Sequence, residues 1–257
     1  MSIAKKMNYY FKGLKEPPKF VYNAEDRKLF EEYIKENIGN FDKVYHELYS
    51  KDFHLLTYQD VHLDILIIPP DSKNNFYKLV TRGLGAYKMN VPNIIKDEGL
   101  DRAELILYLP PDWNFDFEKQ ENGWVISQIK NIARTPIMED SWIGFGHTFS
   151  EDEKATIPFA SNTKFSSTLL LNALNKDYEF LDLTLPSKDR INFYQIFPLY
   201  KEEILYKQQN GVEALMELFS DEDLIPVVNI NRKNYCDDLI NKNIEKEEEN
   251  EIEIWNI

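Results

Sequence analysis

The first clear pattern of apolar and polar residues lies between Asn23 and Gly39 and predicts a helix. Asn23 is suited to cap the N-terminus of this helix, and Gly39 is suited to end it. Apolar side chains recur three or four residues apart, as one face of a helix requires, at Leu29, Phe30, Tyr33, Ile34 and Ile38. Charged residues occupy the opposite face. The pattern therefore predicts a surface helix with one buried stripe.

Alternating and continuous apolar runs predict strands in the rest of the first half. Residues 61–68 begin by alternating, become continuously apolar and stop at Pro69. This pattern is typical of a strand that is buried on both faces at its end. Three more strands are predicted over residues 44–49, 76–81 and 103–109.

The second half mixes helices and strands without a steady alternation. A helix over about residues 123–134 is expected to end before Pro136. The other predicted elements are strands over residues 166–171, 179–183 and 191–197 and helices over residues 199–209 and 212–219. This order favours an α+β fold, a single domain with a mixed, mainly antiparallel sheet flanked by helices.

No internal repeat or Gly/Ser-rich linker divides the chain, so the domain is predicted to span residues 15–235. Residues 236–257 are rich in Glu and are predicted to form an acidic C-terminal tail. The preferred interpretation is a solvated tail, and the alternative is an acidic arm that contacts a partner.

The charge of the chain narrows the classes of partner. The formal net charge is −14 and the sequence pI is about 4.8, which disfavours nucleic acid and anionic membrane surfaces. A basic protein would be attracted, although acidity also serves solubility alone. Cys236 is the one cysteine and cannot form an internal disulfide. With no apolar run long enough for a signal peptide or membrane span, a cytoplasmic location is expected.

Few residues form patterns that suggest chemistry. His62 and Asp64 lie two apart on a predicted strand and so point to the same face, where His54 and His147 could join them around a metal ion. The spacing matches no familiar ligand motif, and a hydrogen-bonded structural pair is the preferred interpretation. We predict no catalytic, cofactor-binding or metal-binding residue, because no motif for any of them is present.

Two further features have a structural and a functional interpretation. Gly83 and Gly85 follow a strand but lack the rest of any nucleotide-binding loop, so they predict a tight turn. Trp113 and Trp142 lie in loop-like contexts, where aromatic side chains either anchor partners or close the edge of the core. The second role is preferred for both.

The order of several segments resembles the suppressor of fused (SUFU) family. The run His62-Leu63-Asp64, followed by prolines, is similar to the family's His-hydrophobic-Asp strand. Leu-Val-Thr-Arg-Gly-Leu at 79–84 resembles its Leu-Val-Thr-x-Gly-Met segment, with Leu84 in place of Met. Met89 and Pro92 fall where that segment continues in the family. Residues 102–113, which contain Arg-Ala-Glu-Leu, then Leu-Pro and Trp113, resemble a further family block. The Gly-His-Thr sequence at 146–148 and the segments 197–203 and 211–215 are also similar.

The resemblance implies a mixed α/β domain that binds another protein and is not an enzyme. Animal members restrain transcription factors by holding them in a complex, and bacterial members resemble immunity proteins of polymorphic toxin systems. The short chain and its Lys-, Asn-, Ile- and Glu-rich composition favour the bacterial kind. The leading expectation is an immunity or antitoxin-like protein that neutralises a cognate toxin by forming a complex; no cofactor and no oligomeric state is predicted.

Two alternatives stay open. The first is a general protein-binding regulator without a toxin partner, and the second is a metal-dependent hydrolase using His62, Asp64 and His147. The family-motif positions expected near a partner surface are His62, Asp64, Thr81, Gly83, Trp113, Gly146, His147 and Thr148.

Overall fold

One sheet of eight strands organises the part of the chain that the computed structural model describes, residues 20–46, 62–175, 177–220 and 225–237. The strands are β1 (Lys43–His46), β2 (Asp64–Ile68), β3 (Tyr77–Arg82), β4 (Ala103–Leu109), β5 (Thr148–Ser150), β6 (Ser167–Asn172), β7 (Asp182–Thr184) and β8 (Arg190–Leu199). The helices are α1 (Ala24–Asn37), α2 (Gln120–Met138), α3 (Lys201–Asn210) and α4 (Val212–Met216), with short 3₁₀ turns at Leu84–Ala86 and Asn93–Glu98.

The strand order is β1-β2-β3-β4-β8-β6-β5, with β7 paired to β8 outside that path. Among these pairs only β4 and β8 run parallel, and the others are antiparallel. The predicted α+β fold with a mixed, mainly antiparallel sheet is therefore confirmed. In the described residues, no helix combines the length and apolarity needed to cross a membrane.

Helices cover both faces of the sheet because each central strand is apolar on both sides. In β4, Leu105 and Leu107 belong to the core beneath α2, whereas Ile106 and Tyr108 belong to the core beneath α1. Successive side chains of a strand point to opposite faces, so the continuous apolar run of β4 requires a cover on each side. Helices α3 and α4 cover a third apolar cluster, which includes Phe197 of β8.

The first helix is confirmed together with its caps. The side chain of Asn23 accepts hydrogen bonds from the backbone N–H groups of Glu25 and Asp26, at 3.0 and 2.8 Å. Phe30 and Ile34 form its buried stripe. Gly39 follows the end of the helix with a φ of +144°, a backbone region that favours glycine.

The prediction that a helix ends before Pro136 is wrong. Helix α2 runs from Gln120 to Met138, and Pro136 lies inside its last turns, where it is buried. Proline removes only its own N–H, and the turn continues because Glu139 N–H bonds Thr135 O at 3.0 Å. Burial of the ring thus accompanies a single lost hydrogen bond.

Other boundaries in the second half also differ from the prediction, and the helix expected over residues 212–219 ends at Met216. Leu199 belongs to β8, because it pairs with Ser167 of β6, and the following helix begins only at Lys201. The strand expected over residues 179–183 is shorter, since Tyr178 at φ +62° is in a turn and regular pairing starts at Asp182. His54 and nearly all of the predicted acidic tail lie outside the described residues.

Candidate functional site

The eight motif positions do not form one site. His62, Asp64, Thr81 and Gly83 lie together near one end of strands β2 and β3. Trp113 follows the opposite end of the sheet, beyond the last residue of β4. Residues 146–148 lead into β5 at an edge of the sheet. The eight positions therefore belong to three separate places on the sheet.

Asp64 is the centre of a polar cluster on the α1 face. It is buried, and its carboxylate pairs with Arg82, which in turn contacts Glu31 of α1 at 2.5 Å. His46 Nδ1 lies 2.8 Å and His62 Nε2 lies 3.3 Å from Asp64 Oδ1. Burial raises the pKa of Asp64, but hydrogen bonds from Arg82 and His46 outweigh it and hold that pKa below its ordinary value.

Glu104 gives Thr81 and Gly83 a structural role, because both donate a hydrogen bond to its carboxylate. This fully buried carboxylate accepts hydrogen bonds from Tyr22 Oη at 2.7 Å, Thr81 Oγ1 at 2.5 Å, Gly83 N at 2.8 Å and Gly85 N at 3.1 Å. Gly83 has a φ of +126°, and a Cβ there would lie 1.9 Å from the carbonyl oxygen of His62. The glycine pair thus forms a tight turn around a buried carboxylate.

His147 lies away from His62 and Asp64, because β5 and β2 are near opposite edges of the sheet. Its ring contacts Trp142 with centroids 4.4 Å apart, and burial lowers its pKa. The grouping of His62, Asp64 and His147 needed for the hydrolase alternative is therefore not formed. Trp142 and Trp113 both pack against the main core, as edge residues do.

A groove of about 820 Å³ opens beside Trp113. Residues 225–235 line one part of it and residues 110–122 another. The groove exists because β8 stops pairing with β4 at Ile106, and a later segment takes its place: Val227 bridges Tyr108, and Val228 N–H bonds Tyr108 O at 2.9 Å. The end of β4 is thereby flanked by a short irregular segment instead of a long strand.

Apolar and polar side chains both line the groove, and the exposed charged side chains in its lining are carboxylates. Exposed carboxylates stand at Asp112 and Glu121. The cationic side chain of Arg232 is neutralised by Glu203, which lies behind it. Amide side chains line the groove at Asn114, Asn122, Asn162, Asn229 and Asn231. The first four each make a hydrogen bond within the chain, and an amide group has further donor and acceptor capacity beyond one such bond.

An ion pair within aromatic rings holds the 225–235 segment in place. Arg232 Nη1 and Nη2 donate to Glu203 Oε1 and Oε2 at 2.6 and 2.5 Å, and Glu203 has no exposed surface. Arg232 Nη2 also donates to Pro198 O at 2.8 Å. Four ring centroids lie 4.8–5.2 Å from the guanidinium carbon, those of Phe165, Phe197, Tyr200 and Tyr235. We call this arrangement the Arg232 clasp.

Cys236 beside the clasp is expected to be unreactive in the folded protein. Burial, with the Glu203 carboxylate nearby, raises the pKa of its thiol to about 11. The thiolate is the reactive form, so modification by a thiol reagent at pH 8 should be more than about a hundredfold slower than in the urea-unfolded chain. The rates are measured from the absorbance of the chromophore that the reagent releases. Equal rates for the two states would contradict the burial of this thiol.

Comparisons with known proteins converge on one family. Residues 59–233 match the family model described as Suppressor of fused protein (SUFU). Protein UU111 of Ureaplasma parvum is 29% identical over 226 residues, which cover 84% of this chain and 98% of that protein.

Solved structures share the fold. A SUFU homologue from Neisseria gonorrhoeae has a TM-score of 0.52 at 17% identity, covering 83% of this chain and 96% of its own. A structure of the Sufu–Fu complex has a TM-score of 0.55 at 15% sequence identity, and the match covers 86% of this chain and 94% of that one. Drosophila Suppressor of Fused gives 0.54 at 12%, and the match covers 91% of this chain but 57% of that protein.

Proposed function

Because the chain belongs to the suppressor of fused family, we propose that it acts by binding a partner protein in the groove beside Trp113, without catalysing a reaction. One of the similar structures is a Sufu–Fu complex, so binding to another protein has a precedent in the same fold. The groove is the observation that supports this location for partner binding, because it is large, has polar groups in its lining and has one side formed by the segment that the Arg232 clasp holds in place.

The groove suits an extended segment of a partner. Its volume of about 820 Å³ holds several side chains, and its amide groups can hydrogen-bond a peptide backbone. The Arg232 clasp supports the wall, so little ordering of the groove would accompany binding. A preformed wall of this kind favours affinity because fewer conformations are lost on association.

Charge indicates the kind of partner. The net charge of −14 and the carboxylates of Asp112 and Glu121 favour a basic protein. Toxins that attack nucleic acids are often basic, and we therefore propose neutralisation of a cognate toxin by complex formation. This immunity role would be carried out in the cytoplasm by the domain over residues 15–235, followed by an acidic C-terminal tail over residues 236–257, of which Cys236 is buried beside the clasp.

Affinity purification from the source cells tests the proposal. Tagged full-length protein would be captured at low and high salt, and co-purifying proteins identified by mass spectrometry. We expect one dominant basic partner, whose toxicity is suppressed by co-expression and whose capture weakens at high salt because surface charges are screened. No stable partner in cells that express the neighbouring genes would contradict the proposal.

A general protein-binding regulator is the second candidate. The same groove supports it, because amide-lined peptide binding does not require a toxic partner. The two roles differ in one outcome of the purification: a partner that is harmless when expressed alone favours the regulator, and one that arrests growth favours the immunity protein.

A further inference from the structure

Beyond partner binding, we propose that His46, His62 and Asp64 form a binding site for a divalent transition-metal ion of the zinc class. These side chains lie at the opposite end of β4 from the groove, near the turn that Gly83 and Gly85 form around Glu104. The sequence pattern predicted no metal site, because it did not show that His46 reaches the pair formed by His62 and Asp64.

Strand pairing brings the three potential ligands together. His46 of β1 is paired directly with Asp64 of β2, so both side chains point to the same face. His62 precedes Asp64 by two residues and shares that face. One ligand atom from each side chain lies within 4.8 Å of the others. Two imidazoles and one carboxylate therefore converge on one point at the sheet edge.

The two distances to the Asp64 carboxylate are close to those of a metal site. Zinc binds His nitrogen and carboxylate oxygen at roughly 2.0–2.2 Å, which places tetrahedral ligand atoms roughly 3.3–3.5 Å apart. His62 Nε2 already lies 3.3 Å from Asp64 Oδ1. His46 Nδ1 lies 2.8 Å from the same oxygen, so this exposed imidazole has to move outward by about half an ångström.

The surroundings hold the carboxylate in a suitable orientation. Arg82 donates a hydrogen bond to Asp64 Oδ2, and Glu31 contacts Arg82 at 2.5 Å. The other carboxylate oxygen, Oδ1, is therefore directed at the two imidazoles. Outer hydrogen bonds of this kind orient the ligands of metal sites. Asp64 is buried, whereas the His46 and His62 side chains are 58% and 53% exposed, so an ion can reach the site from solvent.

The donor set selects among ions. Two imidazole nitrogens favour zinc and similar transition metals, whereas magnesium and calcium prefer oxygen ligands. Three protein ligands leave a fourth position for water or for a group from another molecule. The bound ion would also join the edge strand β1 to β2 and stabilise that pairing.

Calorimetric titration of the chelator-treated full-length protein with zinc sulfate tests the site. We expect one zinc ion per chain and no comparable binding of magnesium. Replacing a ligand, as in His46→Gln or His62→Gln, should weaken zinc binding at least about tenfold, since even outer-shell partners are worth 10- to 100-fold. His147→Gln serves as the matched control, because His147 lies far along the strand order.

Several results would overturn the proposal: absence of zinc binding, wild-type affinity in both His46→Gln and His62→Gln, or loss of binding in His147→Gln. Circular dichroism of each variant checks that the fold is kept, which we expect because both imidazoles are more than half exposed. The visible absorption of the cobalt-substituted protein provides a second measurement, since its intensity and position report the coordination number and ligand field of the ion and should change in the two ligand variants only.

Discussion

Replacing Arg232 with Ala is expected to lower the free energy of unfolding by about 3–5 kcal/mol, the cost of removing one partner from a buried ion pair. The variant leaves Glu203 without its cation at a position with no exposed surface. It also removes the contacts of the guanidinium with four aromatic rings and the hydrogen bond that Arg232 donates to the carbonyl oxygen of Pro198. Because the clasp holds a wall of the groove, partner binding should be lost together with stability.

Urea denaturation followed by circular dichroism measures this effect. Lys28→Ala is the matched control, because it breaks an ion pair with Glu32 that lies on the exposed surface of α1. Such pairs contribute about 0–1 kcal/mol. Arg232→Lys should fall between the two, since lysine keeps the charge but cannot form the two-pronged contact. A loss below about 1 kcal/mol in Arg232→Ala would show that the clasp contributes little to stability.

The second large effect is expected at Glu104. Glu104→Leu removes the acceptor for four donors, those of Tyr22, Thr81, Gly83 and Gly85. Each buried donor without a partner costs about 1–3 kcal/mol, so we expect a total loss of at least about 3 kcal/mol in denaturation experiments. Glu104→Gln keeps one acceptor oxygen and should cost markedly less. Equal losses in the two variants would mean that side-chain shape matters here and hydrogen bonding does not.

The pH dependence at Glu104 has a definite sign. Burial raises the pKa of this carboxyl, even though its four hydrogen bonds lower it. The folded state therefore holds the proton more tightly, and this contribution to stability is lost as the pH rises from about 4.3, the ordinary pKa of Glu, through the raised value. Glu104→Gln does not titrate, so its stability relative to the wild type should improve across that window.

Local patterns predicted the elements that depend on neighbours in sequence. Helix α1 with its Asn23 cap and strand β4 with its continuous apolar run were both expected from spacing and flanking residues. Helix α2 shows where this fails, because burial of Pro136 in the tertiary structure overrides the usual stop signal. The resemblance to a family was correct because it used the order of many short segments along the chain.

The functional groups depended on contacts that no local pattern contains. Glu104 and its donors are up to 82 residues apart, and Arg232 lies 29 residues from Glu203. His46 meets Asp64 only through the register of β1 on β2. The one available signal was a charged residue inside an apolar strand, as at Glu104, because such a residue requires buried partners.

Charge reversal in the groove tests the central claim most directly. Asp112→Lys with Glu121→Lys changes the net charge as much as Glu32→Lys with Glu36→Lys, but the second pair is on α1 and does not line the groove. The measurement is the association rate with the co-purified partner by surface plasmon resonance, after circular dichroism has shown intact folds. We predict a decrease of at least about tenfold for the groove pair and less than about twofold for the α1 pair. Equal rates for the two double variants would contradict the groove as the binding site.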